Sequence, residues 1–209
     1  MICRACGPSC GCAPSCWPKR VRLFCSGQKR TIVSAFFFPS LKAQPVEVTP
    51  AGALLRREIR EAASESGAHF VAYVRRRAPR RVLDSLRSWG RTVHVYGHGA
   101  LGRSGNLEFF DIEPVRFVED LARARALISS AGNQVVGEAL ALQKPVLAYP
   151  QPGNWEQQIN AHFLQQSGMG RARSRRANGR RKACAPELAA RIRPERMKRC
   201  LGPKERFRQ

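Results

Sequence analysis

Apolar positions along the chain change period several times, and those changes mark out its elements. Thr31 to Phe38, TIVSAFFF, is β-branched and aromatic and is stopped by Pro39, which predicts a buried strand. The following KAQPVEVTPAG holds two prolines and a glycine and reads as a linker. From His69 the texture becomes regular. HFVAYV (69–74) is a strand, PRRVLDSLRSWG a short helix closed by Gly90, TVHVYG a second strand and NLEFFDI a third. EPVRFVEDLARA opens with Glu113 and Pro114 at a helix start and sets Val115, Val118, Leu121 and Ala122 on one face. ALISSA is a fourth strand, QVVGEALALQ a helix, PVLAYP a fifth strand, and EQQINAHFLQQSG a last helix ended by Gly168. Strands alternating with helices of about ten residues imply right-handed βαβ units and a parallel sheet covered on both faces. The fold class is α/β.

The two ends lack this texture. Residues 1–30 show neither helical nor strand period and carry Gly and Pro at close intervals; they are expected to be disordered. After Gly170 one helix is conceivable around Glu187 to Ile192, but large apolar residues are too few for a core, and residues 171–209 are expected to be a disordered Arg-rich tail. The domain plan is thus a Cys-rich end (1–30), a strand and linker (31–50), an α/β domain (51–170) and the tail.

The formal charge of +22 invites a nucleic-acid reading, and its distribution weakens that reading. Residues 1–50 carry 7 basic and 1 acidic side chains, residues 51–170 carry 15 and 11, and the tail 15 and 3. The α/β part is nearly balanced. With Phe207 as its only aromatic, the tail offers almost no stacking platform for bases, so nucleic acid is set aside as the main partner. Contact between the tail and anionic lipid at the inner membrane face stays open. Six of the eight cysteines lie between Cys3 and Cys25, and none between Cys25 and Cys184. A cysteine-free centre without a signal-peptide pattern predicts a cytoplasmic protein. Cys3, Cys6, Cys10, Cys12 and Cys16 lack the paired knuckles and nearby histidine of a zinc site, so no metal is expected.

Three stretches carry candidate chemistry. GHGALG (97–102) spells G-x-G-x-x-G after a strand, but Gly102 leads into RSGN and a strand-like run, where a dinucleotide site needs a helix. It reads as a flexible glycine loop, with His98 either solvated or touching a ligand. In LISSAGNQVVGEALALQKPVLAYP, the small residues Ser129 to Asn133 allow a tight turn from strand to helix. Ser130 or Asn133 can cap that helix, whose N–H groups and positive dipole end attract phosphate. Glu138 stands in an almost wholly apolar helix and must reach solvent, a donor pair or a ligand hydroxyl. On the next strand end, Gly153 and Asn154 supply a turn, and Glu156 and Gln157 begin a helix. Phosphate-binding and hydroxyl-binding ends side by side suggest a nucleotide sugar.

The order Ser-Ser-Ala-Gly-Asn-x-x-x-x-Glu-Ala-Leu-Ala-Leu-x-Lys-Pro-Val-Leu-x-x-Pro, then Glu-Gln-x-x-Asn-Ala and Gly-Met-Gly, resembles the C-terminal nucleotide-sugar-binding domain of GT-B glycosyltransferases. The likeness is to the bacterial branch with the peptidoglycan N-acetylglucosaminyltransferase and spans Thr31 to Gly170. It implies a Rossmann-like sheet as one GT-B half and a UDP-type nucleotide-sugar co-substrate in place of a cofactor. It places Ser130, Ala131, Gly132 and Asn133 at the diphosphate, Glu138 at the ribose, and Glu156 and Gln157 at the sugar. The same resemblance leaves the acceptor and its base outside the chain, which points to a truncated or frame-shifted gene. Non-hydrolysing UDP-sugar 2-epimerases have a similar turn, with an acid where this chain has Gly137.

Overall fold

The computed structural model describes residues 29–37, 47–76, 78, 80–151 and 153–172. Of the ends expected to be disordered, 1–30 and 171–209, residues 1–28 and 173–209 fall outside the described residues, with the cysteine cluster and the helix near Glu187, whereas Arg30, Arg171 and Ala172 lie in strands.

Two sheets are present. In the smaller, β1 (Arg30–Ser34) runs parallel to β2 (Glu47–Ala51), in register from Arg30 with Glu47 to Ser34 with Ala51. The stretch read as a linker therefore ends in a strand. Pro50 is tolerated there because β2 lies at the edge of a two-stranded ribbon, where no second ladder needs its missing N–H. Nor is β1 a buried strand: Ile32 is 74% exposed, and burial begins beyond the strand at Phe36. Phe37 stacks on Phe163 with ring centroids 4.7 Å apart, so the aromatic part of TIVSAFFF serves as an anchor onto the larger unit.

The larger sheet has the order β5-β6-β4-β3-β7-β8-β9. Its members are β3 (Phe70–Tyr73), β4 (Val93–Tyr96), β5 (Gly102–Ser104), β6 (Leu107–Phe110), β7 (Leu127–Ser129), β8 (Val146–Ala148) and β9 (Gly170–Ala172). All neighbours are parallel except β5 against β6. The five strands expected after His69 are β3, β4, β6, β7 and β8. Two were not foreseen. β5 consists of the three exposed residues GRS, which carry no apolar alternation, and β9 continues the sheet past Gly170 into Ala172.

The helices are α1 (Arg57–Glu61), α2 (Arg80–Arg87), α3 (Pro114–Arg123), α4 (Asn133–Ala141) and α5 (Trp155–Gln166). Glu113 caps α3, its carboxylate accepting from the N–H groups of Val115 and Arg116, with Pro114 at the first helical position. The expected inner face of α3 needs one correction. Phe117, Val118, Leu121 and Ala122 are buried, whereas Val115 is 51% exposed. At about 100° per residue, Val115 sits roughly 90° from the centre of that stripe.

Alternation along the strands divides the core in two. Val71, Leu127, Val146 and Ala148 face α3, α4 and α5, while Phe70, Ala72, Ile128 and Leu147 face the side that α2 covers through Val82 and Leu86. Burial on both faces explains why β7 and β8 are continuous apolar runs. No described helix is long and apolar enough to cross a membrane.

Candidate functional site

The carboxyl ends of β7 and β8 lie side by side, and each leads through a tight turn into a helix. After β7 the chain reverses at Ala131, whose φ of 65° is the left-handed conformation that a side chain disfavours. Two hydrogen bonds hold it there. The Ala131 N–H donates to Ser129 Oγ at 3.1 Å, and the Ala131 carbonyl accepts from Asn160 Nδ2 at 3.0 Å. Gly132 then forms the N-cap of α4. The expected cap from Ser130 or Asn133 is not formed: no side chain caps this helix, and Asn133 is already its first residue. Asn133 instead donates from Nδ2 to the Ser34 carbonyl at 3.2 Å, tying the turn to the small sheet. The first N–H groups of α4 are thus left without a side-chain acceptor, at the positive end of the helix dipole.

Glu138 follows on the same helix and is 1% exposed, so it does not lie on a solvated edge. Its carboxylate takes the donor-pair alternative. Arg56 reaches it with Nε to Oε1 at 2.9 Å and Nη2 to Oε2 at 2.8 Å, and Gln134 Nε2 donates to Oε1 at 3.0 Å. Gln134 also donates to the Leu54 carbonyl. The hydrogen bond to Glu138 raises the Arg56 pKa above its ordinary value. Closeness of the 53–56 segment to α4 depends on Gly137, because a Cβ there would stand 2.3 Å from Ala53 Cβ. Glycine at this position has a packing reason.

After β8, Asn154 caps α5 by accepting the Gln157 N–H at 3.1 Å. The two residues expected at the sugar part company here. Glu156 is exposed in the first turn, while Gln157 is buried with Oε1 accepting the Gln151 N–H at 2.8 Å.

A second polar cluster lies under α3. His69 and His94 stack with ring centroids 4.3 Å apart, and both meet Asp120, at 2.9 Å from His69 Nε2 and 2.8 Å from His94 Nδ1. Tyr96 donates its hydroxyl to Asp120 Oδ2 at 2.7 Å. Burial opposes ionisation of Asp120, yet the hydrogen bonds from His69, His94 and Tyr96 outweigh it and hold the carboxyl well below the carboxylate range. His69 is raised by its hydrogen bond to Asp120, and the Tyr96 hydroxyl is raised by burial and then by the same carboxylate. Ligand atoms of His69, His94 and Asp120 lie within 4.8 Å of one another, as metal ligands would. The two ring planes are near-parallel, at 18°, and both ring nitrogens reach the same carboxylate oxygen, Asp120 Oδ1.

Sequence reasoning missed Arg56 and this cluster. For the cluster a signal was present: the period of two puts His69 on the face of Val71, and His94 on that of Tyr96.

Comparison with known proteins fixes the family. Residues 19–181 match the model of glycosyl transferase family 1. The chain belongs to this family. The match reaches further at both ends than the Thr31 to Gly170 resemblance. Among solved structures, the family 1 chain is similar to the glycotransferase of kitacinnamycin, with 20% identity and a TM-score of 0.63 over 86% of this chain and 51% of that one. It is similar to the calicheamicin glycosyltransferase at 16% identity and a TM-score of 0.54, over 77% and 44%. A UDP-glucosyltransferase from Polygonum tinctorium gives 14% identity and a TM-score of 0.57, over 88% and 50%. These likenesses show the GT-B fold, and the family 1 chain spans about half the length of the structures it matches. No curated protein sequence matches it.

Proposed function

We propose that this family 1 domain is the donor-binding half of a GT-B glycosyltransferase, holding a UDP-linked sugar on the carboxyl edge of β7 and β8. One observation carries the reading: the uncapped N-terminus of α4, reached through the turn at Ala131 and Gly132, followed on the same helix by the buried carboxylate of Glu138. The diphosphate would sit against the free N–H groups of Asn133 and its neighbours beside Ser130. Glu138 Oε2 would be the acceptor for a ribose hydroxyl. Oε1 accepts from both Arg56 and Gln134, but Oε2 accepts from Arg56 alone and keeps a lone pair. Glu156, exposed one strand over, would meet the sugar, with Gln157 behind it.

In the transfer, the bond from the sugar's anomeric carbon to the diphosphate breaks and a bond to the acceptor's nucleophilic atom forms, the acceptor's proton passing to a base that is not assigned among the described residues. Negative charge grows on the leaving diphosphate. Fixed N–H dipoles at the α4 terminus stabilise that charge without reorganising, and no metal or cofactor is assigned a part. Support comes from the family match and from the likeness to the Polygonum tinctorium UDP-glucosyltransferase. We also place the protein in the cytoplasm, with residues 171–209 as its contact to anionic lipid, on the strength of their 15 basic and 3 acidic residues.

Thermal denaturation of the full chain against UDP, with and without EDTA, tests this. At a hundred times Kd the nucleotide should add about 2.7 kcal/mol of stability, with EDTA making no difference. No rise in Tm at millimolar UDP would overturn the reading.

A further inference from the structure

The cluster of His69, His94 and Asp120 has no part in the donor reading and lies away from it. His69 immediately precedes β3, His94 is the second residue of β4, and Asp120 falls in the second half of α3. The cluster therefore sits toward the amino edge of the sheet, whereas the proposed donor site is at the carboxyl ends of β7 and β8. Its side chains are 18%, 20% and 14% exposed, so solvent reaches them although packing holds them. Asp120 has no Lys or Arg partner among the described residues. The Arg116 guanidinium lies over the Phe110 ring at 4.1 Å, and Lys144 Nζ donates to the Glu65 carbonyl. The carboxylate charge is met instead by two imidazoles and the Tyr96 hydroxyl.

His69 Nε2 and His94 Nδ1 converge on Asp120 Oδ1, and the three ligand atoms form a compact triangle. Around a tetrahedral zinc with bonds of about 2.0–2.1 Å, neighbouring ligand atoms stand about 3.3 Å apart, so the nitrogens and Oδ1 need to part by only about half an ångström. The groups behind them already suit an ion. Tyr96 donates to Asp120 Oδ2, which leaves Oδ1, the oxygen both imidazoles reach, for a metal. On the far side of the His94 ring, Nε2 has Glu108 Oε2 at 3.8 Å. When the ring shifts its proton from Nδ1 to Nε2, that N–H faces a carboxylate, the usual outer partner of a metal-bound histidine. One movement is required. An ion must lie in both ring planes, so one imidazole has to turn out of the stack; His69 lies outside β3, and its terminal torsion is a soft one.

We propose that His69, His94 and Asp120 form a zinc site, bound through His69 Nε2, His94 Nδ1 and Asp120 Oδ1 with water in the fourth position. Two imidazoles and one carboxylate suit a borderline divalent ion, whereas magnesium and calcium prefer oxygen alone. The ion ties β3, β4 and α3 together by coordination where the metal-free protein does so by hydrogen bonds. Glu108 and Tyr96 are positioning residues, acting through His94 and Asp120.

The test is calorimetric titration of the full chain with zinc. Its thiols are alkylated first, because all eight cysteines lie outside the described residues and compete for the ion. One zinc should bind per chain, to saturation. His94→Gln should weaken it about a hundredfold or more, at least as much as the roughly 10–100-fold cost of losing an outer partner. Glu108→Gln, at a partly exposed position that leaves the core intact, should weaken it about tenfold, and keeps the test open if His94→Gln does not fold. Copper(II), which binds such donors more tightly than zinc, reports the ligands directly. Its electron paramagnetic resonance spectrum should show splitting from two imidazole nitrogens in the parent and from one in His69→Gln. A cluster that is only a hydrogen-bonded strut would give none of these responses. No saturable binding at millimolar zinc, an affinity unchanged in both His94→Gln and Glu108→Gln, or a copper spectrum unchanged by His69→Gln would overturn the proposal.

Discussion

Arg56 and Glu138, 82 positions apart in sequence, meet in a two-pronged ion pair with contacts of 2.9 and 2.8 Å. The pair fastens the segment that precedes α1 onto α4. Its two partners are unequally buried, Glu138 almost fully and Arg56 with 35% of its side chain exposed. Arg56→Ala leaves a buried carboxylate with Gln134 as its remaining donor and should cost on the order of 3 kcal/mol, the lower end for a buried pair because Arg56 is partly hydrated. Replacing both partners, as Arg56→Met with Glu138→Leu, should recover most of that loss, since no uncompensated charge remains. Urea unfolding midpoints of the single and double variants check the ordering. A double variant as unstable as Arg56→Ala would contradict it.

The cluster of His69, His94, Tyr96 and Asp120 predicts a stability profile with two flanks. Asp120 has a folded pKa below its unfolded value, so its contribution is present above roughly pH 4 and is lost as pH falls toward the folded value. His69 has a folded pKa above its unfolded value. Its contribution is full below about pH 6.5 and is lost as pH rises through the folded value. Together they contribute most between about pH 4 and 6.5. Asp120→Asn should therefore lower stability by on the order of 3 kcal/mol near pH 5.5, roughly 10 °C in Tm. The variant should also flatten both flanks of the Tm profile. A variant profile parallel to the parent's would exclude this account.

Gly137→Ala sets two effects against each other. In a helix interior, alanine gains about 1 kcal/mol over glycine. Here its Cβ would stand 2.3 Å from Ala53 Cβ, far inside van der Waals contact, and overpacking costs about 1–3 kcal/mol. The clash is with a side chain whose backbone leads directly to Arg56, so relief by a shift also strains the ion pair. Net destabilisation of about 1–2 kcal/mol is expected, together with weaker UDP binding if Glu138 moves with it. A more stable variant would show that propensity wins and that the 53–56 segment yields freely.

The larger sheet was legible from sequence because each buried strand from β3 to β8 is a run of apolar residues bounded by turn signals, and each helix between them carries an apolar stripe. Three kinds of feature escaped. β5 and β2 are short and largely exposed, and GRS and EVTPA have no apolar period to betray them. The cap of α4 went to Gly132, between the two expected candidates Ser130 and Asn133, because Ala131 takes the left-handed turn, and turn register is set by three-dimensional hydrogen bonds such as that from Asn160. Glu138 was visible as an anomaly, but its partner was not. An arginine 82 positions away leaves no trace in local pattern, and LLRREI offers two neighbouring arginines of which Arg57 instead pairs with Glu61.

Glu156 and Gln157 are adjacent, yet the structure gives them different predicted phenotypes. Gln157 is buried and its Oε1 satisfies the Gln151 N–H, so Gln157→Ala strands a backbone donor and should cost about 1–3 kcal/mol. Glu156 is exposed and has no protein hydrogen bond among the described residues, so Glu156→Ala should change stability by no more than about 0.5 kcal/mol. If Glu156 faces the sugar, its loss will be felt by UDP-linked sugar and not by UDP. Calorimetric titration of each variant with UDP and with a UDP-sugar separates the two contributions. Glu156→Ala should leave the UDP affinity unchanged and weaken the UDP-sugar by about tenfold, the value of a charge-assisted hydrogen bond to a hydroxyl. Equal weakening of both ligands would place Glu156 at the nucleotide, and no change in either would remove it from the donor site.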